Sequence, residues 1–399
     1  MDIVSFEQAR EIVAREVCSG RRLPETEAVP LAQAQGRIAV EAVAADRDYP
    51  PFDRATRDGY AVRARETPGS LRVMGQVRAG AEFSGELRPG EAVEIMTGAP
   101  VPAGADAVVM VEHTRCEGET VVLERRVREG ENVVPRGSEA QAGQAALAPG
   151  RRLRYPEVAL LASFGHSAVR VYRRPRVSIL STGDEVVEIA DTPLPYQIRN
   201  SNAHSLAAQV TRAGGEPILL PIAPDELAST TGLVERGLEA DLLLLSGGVS
   251  MGKYDLVERV LADLGAQFFF DGVLIQPGKP LVFGRAREKF FFGLPGNPLS
   301  TMVTFEVFAR AALELLGGAA EAPLRFTHAR LASDFRHRPG LTRFLPAMLS
   351  GAGDAAVLNP VKWQGSGDVV ALTRSNCLLV ASANREEWKA GEWMPVLPL

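Results

Sequence analysis

Arg176-Val177-Ser178-Ile179-Leu180-Ser181 opens the stretch that decides the fold, and it empties into Thr182-Gly183-Asp184-Glu185. A second apolar run, residues 218–222, ends at Ala223-Pro224-Asp225-Glu226. A third, residues 242–245, ends in Ser246-Gly247-Gly248-Val249-Ser250, with Asp255 close behind. Phe290-Phe291-Phe292 then leads into Gly293-Leu294-Pro295-Gly296-Asn297-Pro298-Leu299-Ser300. Helical periodicity fills the intervals, predicting helices over 200–213, 225–238, 254–264 and 298–316, three of them closed by glycine. Short β-rich runs alternating with helices predict parallel βαβ units, whose ligands bind beyond the carboxyl ends of the strands. Every run here has acidic, hydroxyl or glycine residues at that end. Four such exits predict one site.

Outward from this stretch the texture changes. Residues 5–19 read as a helix, with Ser5 as cap, Gln8 reaching back, and Phe6, Ala9, Ile12, Val13 and Val17 at helical spacing. Residues 31–45 read as a short helix followed by a strand, and residues 46–51 as a hinge. From Pro51 to about Pro135, short β runs separated by Gly/Pro turns predict a small antiparallel β domain. Further β segments and a helix near Tyr155-Pro156 return the chain, and strands and turns resume after Pro323. The expected fold is an α/β core domain, its parallel or mixed sheet covered by helices on both faces. To it are added a small segmental domain (21–48 and 137–174), an inserted β domain (49–136) and a C-terminal β-barrel-like domain (322–399). The core spans 175–321, and the whole is an elongated multidomain chain.

Composition narrows the classes. At 399 residues, 46% hydrophobic and 23% charged, the chain fits a globular protein of several domains. Its net charge of −5 argues against nucleic acid or an anionic membrane as the main partner. Cys18, Cys116 and Cys377 form no CxxC, so neither a disulfide framework nor a zinc knuckle is expected. His113 and Cys116 lack a second ligand pair and read as a surface turn. No signal pattern or membrane-length apolar run occurs, and the expected compartment is the cytoplasm.

Several residues carry chemistry. In Ser246-Gly247-Gly248-Val249-Ser250, glycines allow close backbone approach, and N–H groups with two hydroxyls suit phosphate or another oxyanion. Asn297 and Pro298 read as the cap and first residue of a helix whose N-terminus, preceded by glycine, favours an anion. Just upstream, Gln276-Pro277-Gly278-Lys279-Pro280 reads as a rigid loop aiming Lys279, a compact cation suited to an oxyanion. Glu185, Asp225 and Asp255 are hard oxygen donors that suit Mg²⁺ shared with substrate phosphates. Asp58-Gly59 and Met96-Thr97-Gly98-Ala99-Pro100 each read as an ordinary turn or as a functional loop. Residue chemistry therefore reaches an Mg²⁺-dependent enzyme acting on a phosphorylated or nucleotide-bearing ligand.

The fragments DGYAV, IMTGAPVP, STGDE, SGGVS, PGKP and GLPGNP, in this order, resemble those of the molybdopterin molybdenumtransferases, the MoeA and gephyrin E-domain family. The resemblance implies a molybdopterin-binding core and insertion of molybdate into adenylylated molybdopterin, with Mg²⁺-dependent hydrolysis of the adenylate releasing AMP. It implies a homodimer whose cleft lies between one core domain and the β domain of the other copy. Asp58 and Thr97 would come from that copy. Glu185, Asp225, Asp255 and Lys279 would act catalytically on the core side, with Glu185, Asp225 and Asp255 holding metal. Ser246, Gly247, Gly248, Ser250, Gln276, Pro295, Asn297, Pro298 and Ser300 would bind substrate. The resemblance also assigns residues 1–20 to the core and implies transient contacts with molybdopterin-supplying or cofactor-accepting proteins. Two positions depart from the family pattern: Gln276, where lysine is usual, and Arg57, where an apolar residue is usual. Losing the lysine charge is expected to raise the molybdate requirement. The weighed alternatives are a molybdopterin adenylyltransferase, a scaffold or clustering module of the gephyrin type, and an unrelated phosphate-binding α/β protein. The first lacks the inserted and C-terminal domains, the second lacks a sequence signal here, and the third leaves the β-domain motifs unexplained.

Overall fold

The computed structural model describes residues 3–248 and 256–399; Ser250 and Asp255 lie outside them. The first helix, Phe6–Gly20, forms for the local reason expected. Gln8 N–H donates to the Ser5 hydroxyl at 3.1 Å and Ser5 N–H donates to the Gln8 side chain at 2.9 Å, closing a capping box. Its apolar stripe, Phe6, Ala9, Val13 and Val17, packs into the same core as the central sheet. Phe6 meets Phe308 and Phe344 edge-on, with ring centroids 5.8 and 5.3 Å apart.

That central sheet has six strands: β1 (Arg176–Ser181), β2 (Glu216–Leu219), β3 (Leu242–Ser246), β4 (Gln267–Phe270), β5 (Val282–Ala286) and β6 (Lys289–Leu294). The spatial order is β2-β1-β3-β6-β5-β4; the first four strands are parallel, β5 runs antiparallel to β6, and β4 antiparallel to β5. Two apolar clusters, one on each face, bury the alternating sides of β3: Leu242 and Leu244 on one, Leu243 and Leu245 on the other. Helices cover the sheet over Ser201–Ala213, Leu227–Gly237 and Leu256–Asp263, and again from Pro298 to Leu316, where a π-helical turn interrupts α-helix.

The helix expected from Asp225 starts at Leu227. Glu226 caps it, accepting from Ala228 N–H at 3.3 Å and Ser229 N–H at 3.0 Å, which leaves Asp225 in the loop before it. The helix expected within 31–45 shrinks to a single 3-10 turn, Leu31–Gln33, because the chain goes over to short β pairings at Val43–Ala44.

Residues 59–123 form a six-stranded sheet. It is antiparallel except where Gly69–Val77 runs parallel to Glu91–Ile95. The long connection over residues 78–90 carries the chain back to the strand's starting end, so a tight hairpin is replaced by a parallel crossover. On either side in sequence, Thr26–Pro30 pairs with Ala168–Tyr172, and Val43–Ala44 with Ala145–Leu147. Arg152 ties this segment to the core, donating to the Gly36 carbonyl at 3.0 Å and the Ala213 carbonyl at 3.2 Å. In the C-terminal domain, Thr342–Ser350, Val357–Pro360, Thr327–Leu331, Trp393–Pro398 and Cys377–Ala381 pair in a closed ring of five. Closure removes the exposed edges of an open sheet. Among the described residues no helix is long and apolar enough to cross a membrane.

Glu157 lies in the first turn of the helix Tyr155–Ser163, its carboxylate buried between Arg151 and Arg154. Its hydrogen bonds, first of all to Arg154, hold the carboxyl at about 2 against an ordinary 4.5. A depressed folded-state value stabilises above the ordinary carboxylate range and is lost as pH falls towards 2. Glu157→Gln should therefore lower the thermal midpoint at pH 7 by roughly 1–3 °C, on the order of 1 kcal/mol with both arginines half-exposed. The gap to the parent should close in melts recorded near pH 2.

Candidate functional site

Each parallel strand ends by handing a backbone group to its neighbour's exit loop. Thr182 N–H donates to the Ser246 carbonyl at 3.1 Å, and Gly183 N–H to the Ala223 carbonyl at 3.2 Å. Gly247 N–H donates to the Leu294 carbonyl at 3.4 Å. These bonds gather the loops after β1, β2, β3 and β6 at one edge of the sheet, where a doubly wound fold places its ligand. Glycine is required at two of the tips. Gly247 and Gly248 have φ of +91° and +60°, and a Cβ there would lie 2.8 Å from the Thr182 carbonyl oxygen and 2.7 Å from Thr182 Oγ1.

Side chains complete the junction. Asp184 Oδ1 accepts the Asp225 N–H at 3.0 Å, locking the first two loops together. From the start of helix Ser201–Ala213, Asn202 Nδ2 donates at 2.8 Å both to Ser246 Oγ and to the Gly296 carbonyl. It thereby ties the third loop to the fourth. Sequence reasoning passed over both residues. Asp184 sits inside a turn signal beside the more conspicuous Glu185, and Asn202 follows a helix cap, so only the fold reveals what they bridge. The buried Thr182 Oγ1 and Asn202 Oδ1 have no partner among the described residues. Orphaned buried acceptors at a cleft fit an absent polar ligand or water.

Glu185 and Asp225 are exposed, and neither forms an ion pair among the described residues. Asp255 lies outside those residues, and among the described ones no group of three or more His, Cys, Asp or Glu side chains is placed to hold a metal alone. The chemistry that remains is two free carboxylates on adjoining loops. These suit a hard cation whose shell is completed by water and ligand oxygen.

Asn297 occupies the cap position ahead of Pro298, as expected, yet its side chain takes no N–H from the first turn and is exposed. Leu299 N–H goes instead to the Ser366 carbonyl of the C-terminal domain at 2.9 Å. Pro295 and Ser300 are buried, Pro298 half-buried, and the Pro295 carbonyl is held by Thr301 Oγ1 at 2.5 Å. The loop carrying Lys279 closes on itself, the Lys279 carbonyl accepting from Val273 at 2.9 Å and Leu281 at 3.0 Å. Gly278, with φ of +109°, packs so tightly against this helix that a Cβ would come within 2.4 Å of Thr304 Cγ2. The loop is thereby fixed beside the helix start, with Lys279 exposed and Gln276 half-buried.

Asp58 and Thr97 meet each other in the inserted domain. Thr97 donates through its N–H at 2.6 Å and its hydroxyl at 2.7 Å to one oxygen, Asp58 Oδ1. These bonds hold the Asp58 carboxyl below the usual carboxylate range. Among the described residues no hydrogen bond or ion pair joins Asp58 or Thr97 to the core loops. Arg57 is exposed.

Comparison with known proteins covers the chain in three parts. Residues 4–165 match the MoeA N-terminal region (domain I and II), 178–315 a probable molybdopterin binding domain, and 328–399 the MoeA C-terminal region (domain IV). A molybdopterin molybdenumtransferase of Bacillus subtilis is 36% identical, the match covering 96% of this chain and 92% of that protein. One from Nostoc is 41% identical over 74% of this chain and 71% of its own length. The molybdopterin biosynthesis moeA protein of Pyrococcus horikoshii OT3 superposes with a TM-score of 0.80 at 29% identity, covering all of both chains.

Thr97→Val removes the hydroxyl donor and leaves the backbone one. The Asp58 carboxyl should then titrate at higher pH than in the parent, read by carbon-detected NMR of the Asp58 side chain. An unchanged titration would mean that the Thr97 hydroxyl does not set the charge.

Proposed function

The chain belongs to the MoeA family of molybdopterin molybdenumtransferases, enzymes of molybdenum cofactor biosynthesis, and from that premise we propose the step it performs. It takes adenylylated molybdopterin and molybdate, places molybdenum on the dithiolene sulfurs, and releases AMP by hydrolysis of the pyrophosphate link. The observation that carries this reading is the convergence of four strand exits, two of them bearing unpaired carboxylates, beside the loop of Lys279.

Asp225 and Glu185 would hold Mg²⁺, which supplies charge neutralisation and polarisation at the pyrophosphate. Asp184 acts as a positioning residue, setting the Asp225 loop through the Asp225 N–H. Asn202 fixes the third exit relative to the fourth, so that Ser246 and Asn297 face the ligand in a constant geometry. Gly247 and Gly248 leave room for close backbone approach to an anion. Lys279 contributes positive charge where two anionic reactants must be held together, a source of both proximity and electrostatic stabilisation. The orphaned acceptors Thr182 Oγ1 and Asn202 Oδ1 would take donors from the pterin substrate.

Asp58 and Thr97 enter the cleft from a second copy of the chain, making a homodimer the working unit. What supports this is a carboxylate held in its charged form and aligned by two donors, yet bonded to nothing among the described residues of its own core domain.

With adenylylated molybdopterin, Mg²⁺ and molybdate, the chain should release AMP and load metal together. Asp225→Ala should reduce both by more than about 100-fold, the scale of losing an electrostatic catalytic group. Retained turnover would remove Asp225 from the reaction. Mixing Asp58→Ala with Asp225→Ala chains tests the shared cleft. In mixed dimers one cleft receives both intact residues, so about a quarter of parental activity should return on subunit exchange. No recovery would place each cleft within one chain.

A further inference from the structure

The core meets the C-terminal barrel through a two-residue parallel pairing in which Ile275 faces Thr342 and Gln276 faces Arg343. Parallel partners in register project to the same side of the sheet. Ile275 and Thr342 are buried together, while Gln276 and Arg343 lie half-exposed on the opposite side. Gln276 begins the loop that ends in Lys279. The pairing therefore sets Arg343 beside the first residue of that loop, on the face of the sheet that also carries Ala381 of the barrel's own apolar cluster.

Its surroundings are unusual for an arginine. Nε is buried with no partner among the described residues, and the one hydrogen bond is a long one, from Nη2 to the Arg338 carbonyl at 3.5 Å. Its antiparallel neighbour on the other side is Ala381, fully buried and uncharged. Neither Arg343 nor Arg338 forms an ion pair among the described residues, although other barrel cations do: Arg336 with Glu386 and Lys389 with Asp334. Burial, and next the charge of Arg338, weigh against the charged form of Arg343. A half-exposed guanidinium with one buried, unpartnered N–H and no carboxylate beside it is stabilised by an anion brought to it.

We propose that Arg343 is an oxyanion-binding residue of the cleft, supplying across the strand pair the positive charge that the side chain of Gln276 does not carry. The ligand class is a tetrahedral oxyanion, either free molybdate or the phosphate of the pterin substrate. The inference rests on the proposed reaction for the identity of its ligands, and on cross-strand geometry for the residue.

Positions 276 and 343 should then be interchangeable as sources of one charge. Direct binding of molybdate and of inorganic phosphate to the full-length protein, by calorimetry, is the readout for the parent, Arg343→Gln, Arg343→Lys, Gln276→Lys and the double variant Gln276→Lys/Arg343→Gln. Arg343→Gln should weaken binding about 10-fold, the scale of one charge-assisted hydrogen bond. Arg343→Lys should recover part of this, and the double variant most of it. Loss confined to molybdate assigns the residue to the free oxyanion, and loss confined to phosphate assigns it to the substrate. Unchanged affinity for both anions in Arg343→Gln, or a double variant no better than Arg343→Gln, overturns the inference. Because binding is read without turnover, the proposed reaction can fail in the AMP assay while Arg343 still stands, and the reverse also holds.

Discussion

A parallel sheet leaves the last peptide groups of every strand unpaired at one edge, and the rest of this molecule is arranged around satisfying them. Thr182 gives its N–H to Ser246, Gly183 to Ala223, and Gly247 to Leu294, so each exit loop completes its neighbour. The cost of a buried, unpaired backbone group is comparable to a lost hydrogen bond, which makes the loops a mutually dependent set. Loops tied in this way constrain one another independently of any ligand. Where side chains take over from the backbone, as Asp184 and Asn202 do, they extend the same network outward to loops too far apart to pair directly.

Much of this was legible in the chain. The capping box of Ser5 and Gln8, the four apolar runs and the residues at their ends follow from local rules acting within a few positions. What escaped was non-local. Asn202 bridges Ser246 and Gly296, and no spacing rule foresees an amide joining loops that distant in sequence. The start of helix Leu227–Gly237 turned on a competition between two adjacent acids. Asp225 is the better cap by type, but Glu226 reaches Ser229 N–H and leaves the Asp225 side chain in the loop. The parallel pair inside the inserted domain escaped for a similar reason, since strand direction depends on how a long connection returns.

The inserted domain and the core reach their chemistry differently. In the core, carboxylates are held by backbone geometry and left unpaired. Asp58 instead depends on a single neighbour, Thr97, which provides two donors to one oxygen and fixes both charge and direction. Such a carboxylate is fixed in charge and direction by its own domain, which lowers the ordering cost of any contact it makes.

The C-terminal barrel changes what the helix at Pro298 can do. A helix start presents several free N–H groups and a positive dipole end, which by itself would accept almost any anion. Here Leu299 N–H is already satisfied by the Ser366 carbonyl, and the Asn297 side chain is left uncommitted. The general anion site is thereby narrowed to fewer donors. On the other flank the barrel brings Arg343 opposite Gln276, next to a loop that Gly278 presses against Thr304. A core sheet of this kind without the barrel would keep the open helix terminus and lose the arginine. A helix terminus with all its N–H groups free discriminates less between anions than one with fewer donors. Counter-charge held in a fixed position suits an anion better than a mobile one, and the barrel fixes where Arg343 stands relative to Gln276.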